Sequence, residues 1–504
     1  MTDQDLTDEP GVSPWFTTTR WIEALTLLGI VVLFSVQALV IIQSGSPFGH
    51  DEAVYSLRAR DFLTGDVSGW YWFPFRAPGL PLALTPVAAI RATEPYLRLV
   101  ITGFGVLLVV STWWLGRTMF GRRAGLIAAA GIAMSPAILG ASVQVWPDVP
   151  GAAVGLFAVA LYAWALARER LTVPIMLALG ILTGTATLIR FGAPIPIGVG
   201  LTAVTIWRFR YAIAEWQRVV GAGVAASVIP AVILLVPGAT AWAQWTANVE
   251  PIAAFRSFVF LQESNDLPWT AGFVDYWSLR GKIVGTATVA FVLGIGLLSA
   301  VLGAAQREIS RLALFVVVGA GVLTTGALAF VLHGEVRYLA PAIPWVWIGT
   351  GVGIGYLTKH WSRVTTVVLG VAVLLVGLST SSAVVAKKFE FNRNAFSAIQ
   401  SAAIVIDDAS DDYTCSVITS YTPQVGWYAK CVVFPFDRLS VGLDAIGRPD
   451  GDRYLMMVSQ GKRQPAGVLL EEYLDETSGV FVEVGNAGAG RRQHVIVYDI
   501  GDAR

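Results

Sequence analysis

Charged side chains are scarce in this chain of 504 residues. Only 14% of them are Asp, Glu, Lys or Arg, whereas 55% are hydrophobic. A soluble globular domain carries about 25% charged residues, so most of this protein's surface must face something other than water. The 35 basic and 35 acidic residues cancel. No excess positive field therefore favours nucleic acid as a partner.

The chain also lacks the marks of two other kinds of site. No glycine-rich loop of the type that cradles nucleotide phosphates stands out. Two cysteines, Cys415 and Cys431, are too few for a structural zinc site, which takes four ligands. These absences disfavour a nucleotide-binding enzyme and a zinc-stabilised domain.

Long apolar segments are what the chain does contain. A helix needs roughly 20 apolar residues to cross a bilayer, and about eleven segments approach that length. They are residues 21–42, 97–115, 123–140, 151–167, 172–189, 192–208, 219–237, 281–303, 311–332, 339–358 and 363–386. The first is too long for a signal-peptide core and should be retained. We predict a mainly α-helical, polytopic membrane bundle over residues 1–386.

Loop charges predict the orientation, because cytoplasmic loops carry an excess of Lys and Arg. With the N-terminus inside, the cytoplasmic loops hold Arg117, Arg122, Arg123, Arg168, Arg170, Arg208, Arg210, Arg218, Arg307, Arg311, Lys359 and Arg363. The opposite loops are mixed in charge and hold most of the acidic loop residues. We therefore expect a multi-pass plasma-membrane protein with a cytoplasmic N-terminus and an outer C-terminal part.

Residues 387–504 lose the apolar runs. Strand-like stretches at 416–419, 431–434, 454–458 and 494–498 alternate with helical candidates at 394–407 and 466–475, which predicts a small extracytoplasmic α/β domain. Cys415 and Cys431 each sit at the edge of a strand. An oxidising compartment allows a disulfide between them, and two buried free thiols are the alternative.

A polar island, residues 50–60, follows the first apolar segment. Adjacent carboxylates, Asp51 and Glu52, are expensive to keep at a membrane surface and indicate a function there. Asp51, Tyr55 and Arg58 recur at i, i+4 and i+7, so a helix would place them on one face. The alternative is a capped interfacial helix in which Asp51 is a mere N-cap.

Isolated charges recur in the other outer segments. Arg76 stands among aromatic and proline residues, where it needs an anion; a lipid phosphate fits a guanidinium, and snorkelling to headgroups is the alternative. Asp148 lies in a very short outer loop and could be only a turn residue. Arg190 is a secondary candidate for an anion site.

A late outer loop contains His333, Glu335, Arg337 and Tyr338. Pairing of Glu335 with Arg337 is one reading, and a phosphate contact by Arg337 is the other. Carboxylates and arginines on one membrane face suit displacement at a sugar carbon. A carboxylate accepts the proton of the acceptor hydroxyl, and arginines stabilise the charge on a leaving phosphate.

These pieces together resemble the type C (GT-C) glycosyltransferases, polytopic enzymes that use polyprenyl-phosphate sugars. The likeness is greatest to the relatives of protein mannosyltransferases and lipid A aminoarabinose transferases. It rests on residues 51–55, residues 76–81, Asp148 and residues 335–341, and it spans roughly residues 20–350. Arg76 departs from the lysine that relatives often carry before these prolines.

The resemblance implies roles for these residues. Asp51 would be the catalytic base, with Glu52 and Asp148 as further catalytic carboxylates. Arg76 and Arg337 would bind the donor phosphate, and Arg190, the secondary anion-site candidate from its position in the sequence, would join them. Further site-lining residues would be Tyr55, Arg58, His333, Glu335 and Tyr338.

The function expected is transfer of a sugar, with inversion, from a polyprenyl-phosphate donor to an outer glycan, lipid or protein. No cofactor is required on this view, although Asp51, Glu52, Asp148 and His333 could hold a divalent metal. A lipid or sugar transporter is the alternative, but it should place polar residues near the midplane and show repeated halves. A non-catalytic scaffold would leave the isolated charges unexplained.

Overall fold

Helices dominate the computed structural model, which describes residues 18–64, 76–235, 274, 284–331, 335–410, 415–434, 453–458, 479–485 and 494–499. The helices of the first half are α1 (Thr18–Gln43), α2 (His50–Thr64), α3 (Gly79–Arg91), α4 (Glu94–Phe120), α5 (Arg122–Met134), α6 (Pro136–Ser142), α7 (Asp148–Ala167), α8 (Val173–Ile189), α9 (Pro194–Trp207), α10 (Phe209–Ala214) and α11 (Trp216–Leu235). The later ones are α12 (Ala287–Ala305), α13 (Arg311–Val331), a short 3-10 helix (Val336–Leu339), α14 (Ile343–Leu357), α15 (Arg363–Ala409) and α16 (Thr422–Ala429).

The protein is a multi-pass membrane protein. In the described part, six helices are long and apolar enough to span a membrane, namely Trp21–Gln43, Glu94–Phe120, Asp148–Ala167, Ala287–Ala305, Arg311–Ala329 and Val364–Ala409. A seventh span results if α5 and α6, bent by 64° at Ser135, are counted together. Every predicted apolar segment contains a helix, and the predicted fold class is confirmed.

Proline marks the start of the shorter apolar helices. It occupies the first or second position of α6, α8, α9 and α14, where its missing N–H costs no helical hydrogen bond and its fixed φ suits a helix start. The apolar helices α8, α9 and α14 are 17, 14 and 15 residues long. The apolar helix α3 lies within a segment that the sequence suggests is an outer excursion.

Close approach between backbones holds α12 against α14. A Cβ added at Gly353 would overlap the carbonyl oxygen of Gly296, and it would lie 2.6 Å from the backbone nitrogen of Ala300. Small residues let membrane helices pack at this distance, where dispersion replaces the missing hydrophobic drive. The two glycines are therefore a packing contact rather than a flexible point.

Five short strands form one mixed sheet in the C-terminal part. They are β1 (Ser416–Ile418), β2 (Val432–Phe434), β3 (Arg453–Val458), β4 (Gly479–Gly485) and β5 (His494–Asp499), in the order β2-β1-β3-β5-β4. Strand β1 is parallel to β2 and β3, whereas β5 is antiparallel to β3 and β4. Four strands match the predicted stretches, β4 is additional, and the predicted helix at 466–475 lies outside the described residues.

The C-terminal end of α15 packs on this sheet. Ile399, Ala402 and Ile406 are fully buried and belong to one core with Val417 and Val497. Helix α15 has 47 residues and runs through residue 386 without a break. The division at residues 386 and 387 stays a prediction, but the two parts share a continuous helix.

A disulfide joins Cys415 to Cys431 across a Cα–Cα distance of 4.9 Å. The residues enclosed by this bridge include β1 and α16. Both cysteines are buried in the core under the sheet. Helix α16 is therefore fixed to the sheet from both of its ends.

We predict that Gly353→Ala destabilises the bundle by about 2 kcal/mol, because the added methyl group meets the backbone of α12 and forces the helices apart. Thermal unfolding of purified protein in detergent measures the effect. Gly355→Ala is the matched control, since a Cβ there has no neighbour within 4 Å; it should change stability by less than about 0.5 kcal/mol. Equal losses in the two variants would contradict the packing assignment.

Candidate active site

Asp51 lies between two arginines at the start of α2. Its Oδ1 accepts a hydrogen bond of 3.0 Å from Arg76, and its Oδ2 accepts one of 2.9 Å from Arg337. The Asp51 side chain keeps 30% of its surface exposed, whereas the Arg76 and Arg337 side chains keep 8% and 12%. The carboxylate is thus more exposed than either guanidinium group that holds it.

Local sequence explains how these three residues meet. Asp51 lies in the first turn of α2, where unpaired backbone amides favour an acidic side chain. Arg76 precedes α3, whose first residue, Gly79, contacts the backbone of Leu188 at the end of α8; a Cβ there would lie 2.6 Å from that backbone. Arg337 lies on the short 3-10 helix. The glycine in the predicted motif at residues 76–81 therefore permits a close helix contact that places Arg76.

Glu52 faces away from this cluster and is 2% exposed. Its carboxylate accepts two bonds from Arg98, at 3.0 and 3.1 Å, and one each from the backbone N–H groups of Gly49 and Val145, at 3.1 and 3.0 Å. The bond from Gly49 caps α2 in the manner of a capping-box glutamate. Glu52 thus joins the start of α2 to α4 and to the loop before Asp148.

A third acidic residue, Asp148, begins α7 and is buried. It forms an ion pair with Arg190, at the end of α8, and its Oδ2 lies 3.8 Å from Nε of Arg337. Arg337 also pairs with Glu335. The guanidinium of Arg337 therefore contacts all three carboxylates, Asp51, Asp148 and Glu335, and links the two halves of the site.

Aromatic rings line the arginines. The guanidinium of Arg76 lies 5.7 Å from the ring centre of Tyr55, and that of Arg190 lies 4.8 Å from Tyr338. Arg337 lies 4.4 Å from Trp146. Such contacts hold a cation in place without neutralising it.

Burial and charge act in opposite directions on Asp51. Burial raises the pKa of its carboxyl, but the guanidinium groups of Arg337 and Arg76 lower it by a larger amount. The pKa therefore lies below the usual 3.8. Burial raises the pKa of Tyr55 to about 12. At neutral pH, Asp51 is therefore a carboxylate and Tyr55 is a phenol.

A narrow recess lies beside this cluster, with about 450 Å³ of space between atoms when the adjoining open solvent is included. Asp148 and Arg190 belong to its polar lining. The remaining lining is almost entirely apolar and comes from α7, α9, α13 and α14; it includes Leu156, Val159, Ile197, Leu328 and Trp345. The recess thus combines a buried ion pair with apolar walls.

Most of the predicted site residues converge. Asp51, Arg76, Arg337, Asp148, Arg190, Glu335, Tyr55 and Tyr338 belong to one connected cluster. Glu52 adjoins it, and Arg58 is buried on α2. His333 lies outside the described residues.

Sequence reasoning missed Arg98 and Trp146. Arg98 stands alone at the outer end of an apolar segment, and the argument applied to Arg76 would have found it. Trp146 contacts Arg337 and also lies 4.8 Å from Nζ of Lys388 on α15. Tryptophan is common at a membrane interface, so nothing in the sequence marked this one.

The carboxylates that the sequence offers to a divalent metal are paired with arginines in the structure. Both oxygens of Asp51 bind guanidinium groups, Glu52 binds Arg98, and Asp148 pairs with Arg190. Within the described ranges, no three His, Cys, Asp or Glu side chains converge on a metal-sized site. A cation bound by these carboxylates would displace arginines, and a reaction without a metal stays a prediction.

Two membrane glycosyltransferases of known structure share this fold. ArnT from Cupriavidus metallidurans, solved bound to undecaprenyl phosphate, aligns over 95% of this chain and 98% of its own, with 15% identity and a TM-score of 0.65. The oligosaccharyltransferase AglB from Archaeoglobus fulgidus, solved with an inhibitory peptide and a dolichol-phosphate, aligns over 84% of this chain and 65% of its own, with 16% identity and a TM-score of 0.52.

AglB has also been solved with Zn and sulfate; that structure aligns with a TM-score of 0.51 and 16% identity over 80% of this chain and 62% of its own. No family model matches the sequence. No curated protein matches it either. The likeness therefore concerns the fold, which is the GT-C fold that the sequence resembles.

We predict that Glu52→Gln destabilises the protein by about 3 kcal/mol or more, because it leaves the buried Arg98 guanidinium without a counter-charge. Thermal unfolding in detergent tests this. Glu169→Gln is the control: Glu169 is 64% exposed and lies 3.6 Å from Arg208, so its loss should cost at most about 1 kcal/mol. Wild-type stability in Glu52→Gln would show that this pair does not hold the site together.

Proposed function

We propose that this protein is an integral-membrane glycosyltransferase that transfers a sugar from a polyprenyl-phosphate donor to an extracytoplasmic acceptor. One observation carries the proposal: a partly exposed carboxylate, Asp51, is held between two largely buried guanidinium groups beside a recess with apolar walls. A base and phosphate ligands are thereby adjacent at a site that suits a lipid. Each is required for displacement of a lipid phosphate from a sugar.

The recess supports a lipid-linked donor. Its walls are apolar, as an isoprenoid chain requires, and Arg190 belongs to its polar lining together with Asp148, which lies 3.8 Å from Arg337. The fold neighbours support the same class of ligand, since ArnT was solved with undecaprenyl phosphate and AglB with a dolichol-phosphate. Arginine binds phosphate oxygens bidentately, which fixes the orientation of the leaving group.

The reaction follows from the positions of these groups. The acceptor hydroxyl oxygen attacks the anomeric carbon while Asp51 takes the hydroxyl proton. The bond from the anomeric carbon to the phosphate oxygen breaks, and its electron pair leaves on the polyprenyl phosphate. Arg76, Arg337 and Arg190 stabilise that charge. A single displacement of this kind inverts the anomeric configuration.

Donor binding should also release Asp51. The guanidinium groups that would hold the phosphate are the ones that hold Asp51 before the donor arrives. Once they turn to the phosphate, the carboxylate loses two hydrogen bonds and its pKa rises, which makes it a stronger base. Asp148 and Glu52 then act by holding Arg190 and α2 in place rather than by touching the sugar.

We propose a plasma-membrane location with the N-terminus in the cytoplasm and the site outside. The basic loops support this orientation, because cytoplasmic loops carry an excess of Lys and Arg. The arginines at the helix ends opposite Asp51 are Arg117, Arg122, Arg168, Arg208 and Arg307. The acceptor would then be a glycan, a lipid or a protein of the cell envelope. Nucleic acid has no role in this reaction.

The first prediction from this proposal concerns Asp51→Asn. Transfer from a panel of radiolabelled polyprenyl-phosphate sugars to membrane extract should fall by about 100-fold or more, since the amide cannot accept the proton. Asp408→Asn is the control, because Asp408 is exposed on α15; it should keep wild-type activity. Transfer by Asp51→Asn at the wild-type rate would refute the role of Asp51.

Two further outcomes of the same assay are decisive. Transfer should continue in EDTA, because guanidinium groups supply the positive charge; loss in EDTA with recovery in Mn²⁺ would instead establish a metal-dependent reaction. Folded wild-type protein that moves the whole lipid-linked sugar across sealed vesicles, without breaking the sugar–phosphate bond, would replace the enzyme by a flippase.

The second prediction concerns pH. Because the pKa of Asp51 lies below 3.8, the wild-type kcat/KM should stay flat as the pH falls to about 4 and decline only below it. In Arg337→Gln a cation is lost while burial remains, so the pKa of Asp51 rises and the decline should begin about one to three pH units higher. Arg91→Gln, at an exposed position on α3, should leave the profile unchanged. An unshifted profile in Arg337→Gln would contradict the coupling.

A further inference from the structure

Helix α16 of the outer domain packs directly on α2, the helix that carries Asp51. Trp427 lies in the same buried cluster as Phe48, Val54 and Leu57. The ring centres of Phe48 and Trp427 are 5.3 Å apart. Chain positions separated by about 380 residues therefore form one core beneath the proposed catalytic carboxylate.

Tyr428 forms the most specific contact between the two helices. Its hydroxyl accepts a hydrogen bond of 2.8 Å from the backbone N–H of Phe48 and donates one of 2.7 Å to Oε1 of Glu94. Burial and the Glu94 carboxylate both raise the pKa of Tyr428, so its hydroxyl keeps the proton that it donates. Phe48 is completely buried, which leaves its N–H no access to water.

Two more contacts hold the same pair of helices. Arg60, at the other end of α2, donates to the carbonyl oxygens of Gly426 and Trp427 at 2.8 and 3.3 Å. These carbonyls belong to the last turn of α16, where no partner exists within the helix. The side-chain amide of Gln424, assigned from its hydrogen-bond partners, donates to the carbonyl oxygen of Tyr421 at 3.3 Å. Its oxygen accepts a hydrogen bond from the backbone N–H of His50 at 3.2 Å.

Helix α4 ties this contact to the buried pair described above. Tyr428 binds Glu94 and Glu52 binds Arg98. Glu94 and Arg98 are four residues apart on α4 and therefore lie on the same face of that helix. The segment from Phe48 to Glu52 is thus held to α4 at both of its ends. Asp51 lies within that segment.

We propose that Tyr428, with the disulfide-closed helix α16, is a positioning element that fixes the start of α2 and so holds Asp51 between Arg76 and Arg337. The expected change in transfer rate rests on the proposed function. The expected movement of the first turn of α2 rests on geometry alone. Without the Tyr428 hydroxyl, the N–H of Phe48 has no acceptor and the first turn of α2 moves. Because a helix is stiff, Asp51 moves with it and its two hydrogen bonds lengthen.

The test compares Tyr428→Phe with Tyr498→Phe, a matched control on β5 in the same sheet domain and remote from α2. The first readout is hydrogen–deuterium exchange of residues 48–54 in purified protein, which requires no substrate. Exchange should accelerate in Tyr428→Phe and stay at the wild-type rate in Tyr498→Phe. Unchanged exchange in Tyr428→Phe would overturn the proposal even if no donor were known.

The second readout is the pH profile of transfer. In Tyr428→Phe, kcat should fall about 10-fold through misalignment of the reacting groups, the KM for the donor should hardly change, and the acidic decline should move to higher pH. A variant that merely folds less well would lose rate equally at every pH. A uniform loss would therefore refute positioning and leave the enzyme assignment standing.

A second pair of variants guards against misfolding of Tyr428→Phe. Arg60→Met removes the bonds to Gly426 and Trp427 from the α2 side, and Cys415→Ser with Cys431→Ser opens the bridge that frames α16. Both should shift the acidic decline in the same direction. If wild-type protein transfers sugar and neither variant shifts its profile, α16 does not position Asp51; if wild-type protein transfers nothing, the proposed function fails and exchange alone decides the positioning.

Discussion

The buried ion pair between Glu52 and Arg98 is the interaction on which the rest of the site depends. Both side chains are 2% exposed, so neither charge is solvated and each must be satisfied by the protein. Glu52 accepts four hydrogen bonds, and Arg98 also donates one of 2.7 Å to the carbonyl of Ser46. The pair thereby joins the approach to α2, the start of α4 and the loop before Asp148. Asp51 lies within a segment that this pair fixes, and Asp148 lies three residues after Val145, which the pair also holds.

The charges of the site are balanced, and we propose that this balance couples donor binding to the basicity of Asp51. Arg76, Arg337 and Arg190 pair with Asp51, Asp148 and Glu335, so the arginines are held in place without a large net charge. In the proposed reaction, a donor phosphate would compete with carboxylates that are already bound. That competition would weaken phosphate binding, but each guanidinium that the phosphate captured would leave a carboxylate less stabilised and more basic. Donor binding and activation of the base would then be one event.

Because charged residues are scarce in this chain, several charged residues of the site could be predicted from the sequence. Asp51, Arg76 and Arg337 stand out because apolar residues surround them, and a charge in such surroundings needs a reason. Arg98 was open to the same argument but lay at the edge of a predicted span. Tyr428 was not, because its partner Phe48 is 380 residues away and a tyrosine in a small α/β domain is ordinary. Strand β4 escaped prediction since it begins and ends with glycine and carries a bulge.

Hydropathy separates the part of a chain that meets lipid from the part that meets water, and here that division does not coincide with function. Helix α15 continues from one part into the other, and α16 supplies the acceptor that the buried N–H of Phe48 requires. A bundle ending at residue 386 would leave that N–H unsatisfied, at a cost of about 1–3 kcal/mol. The first turn of α2 would then no longer be fixed in place. The C-terminal part that carries the sheet therefore belongs to the same structural unit as the helix that carries Asp51.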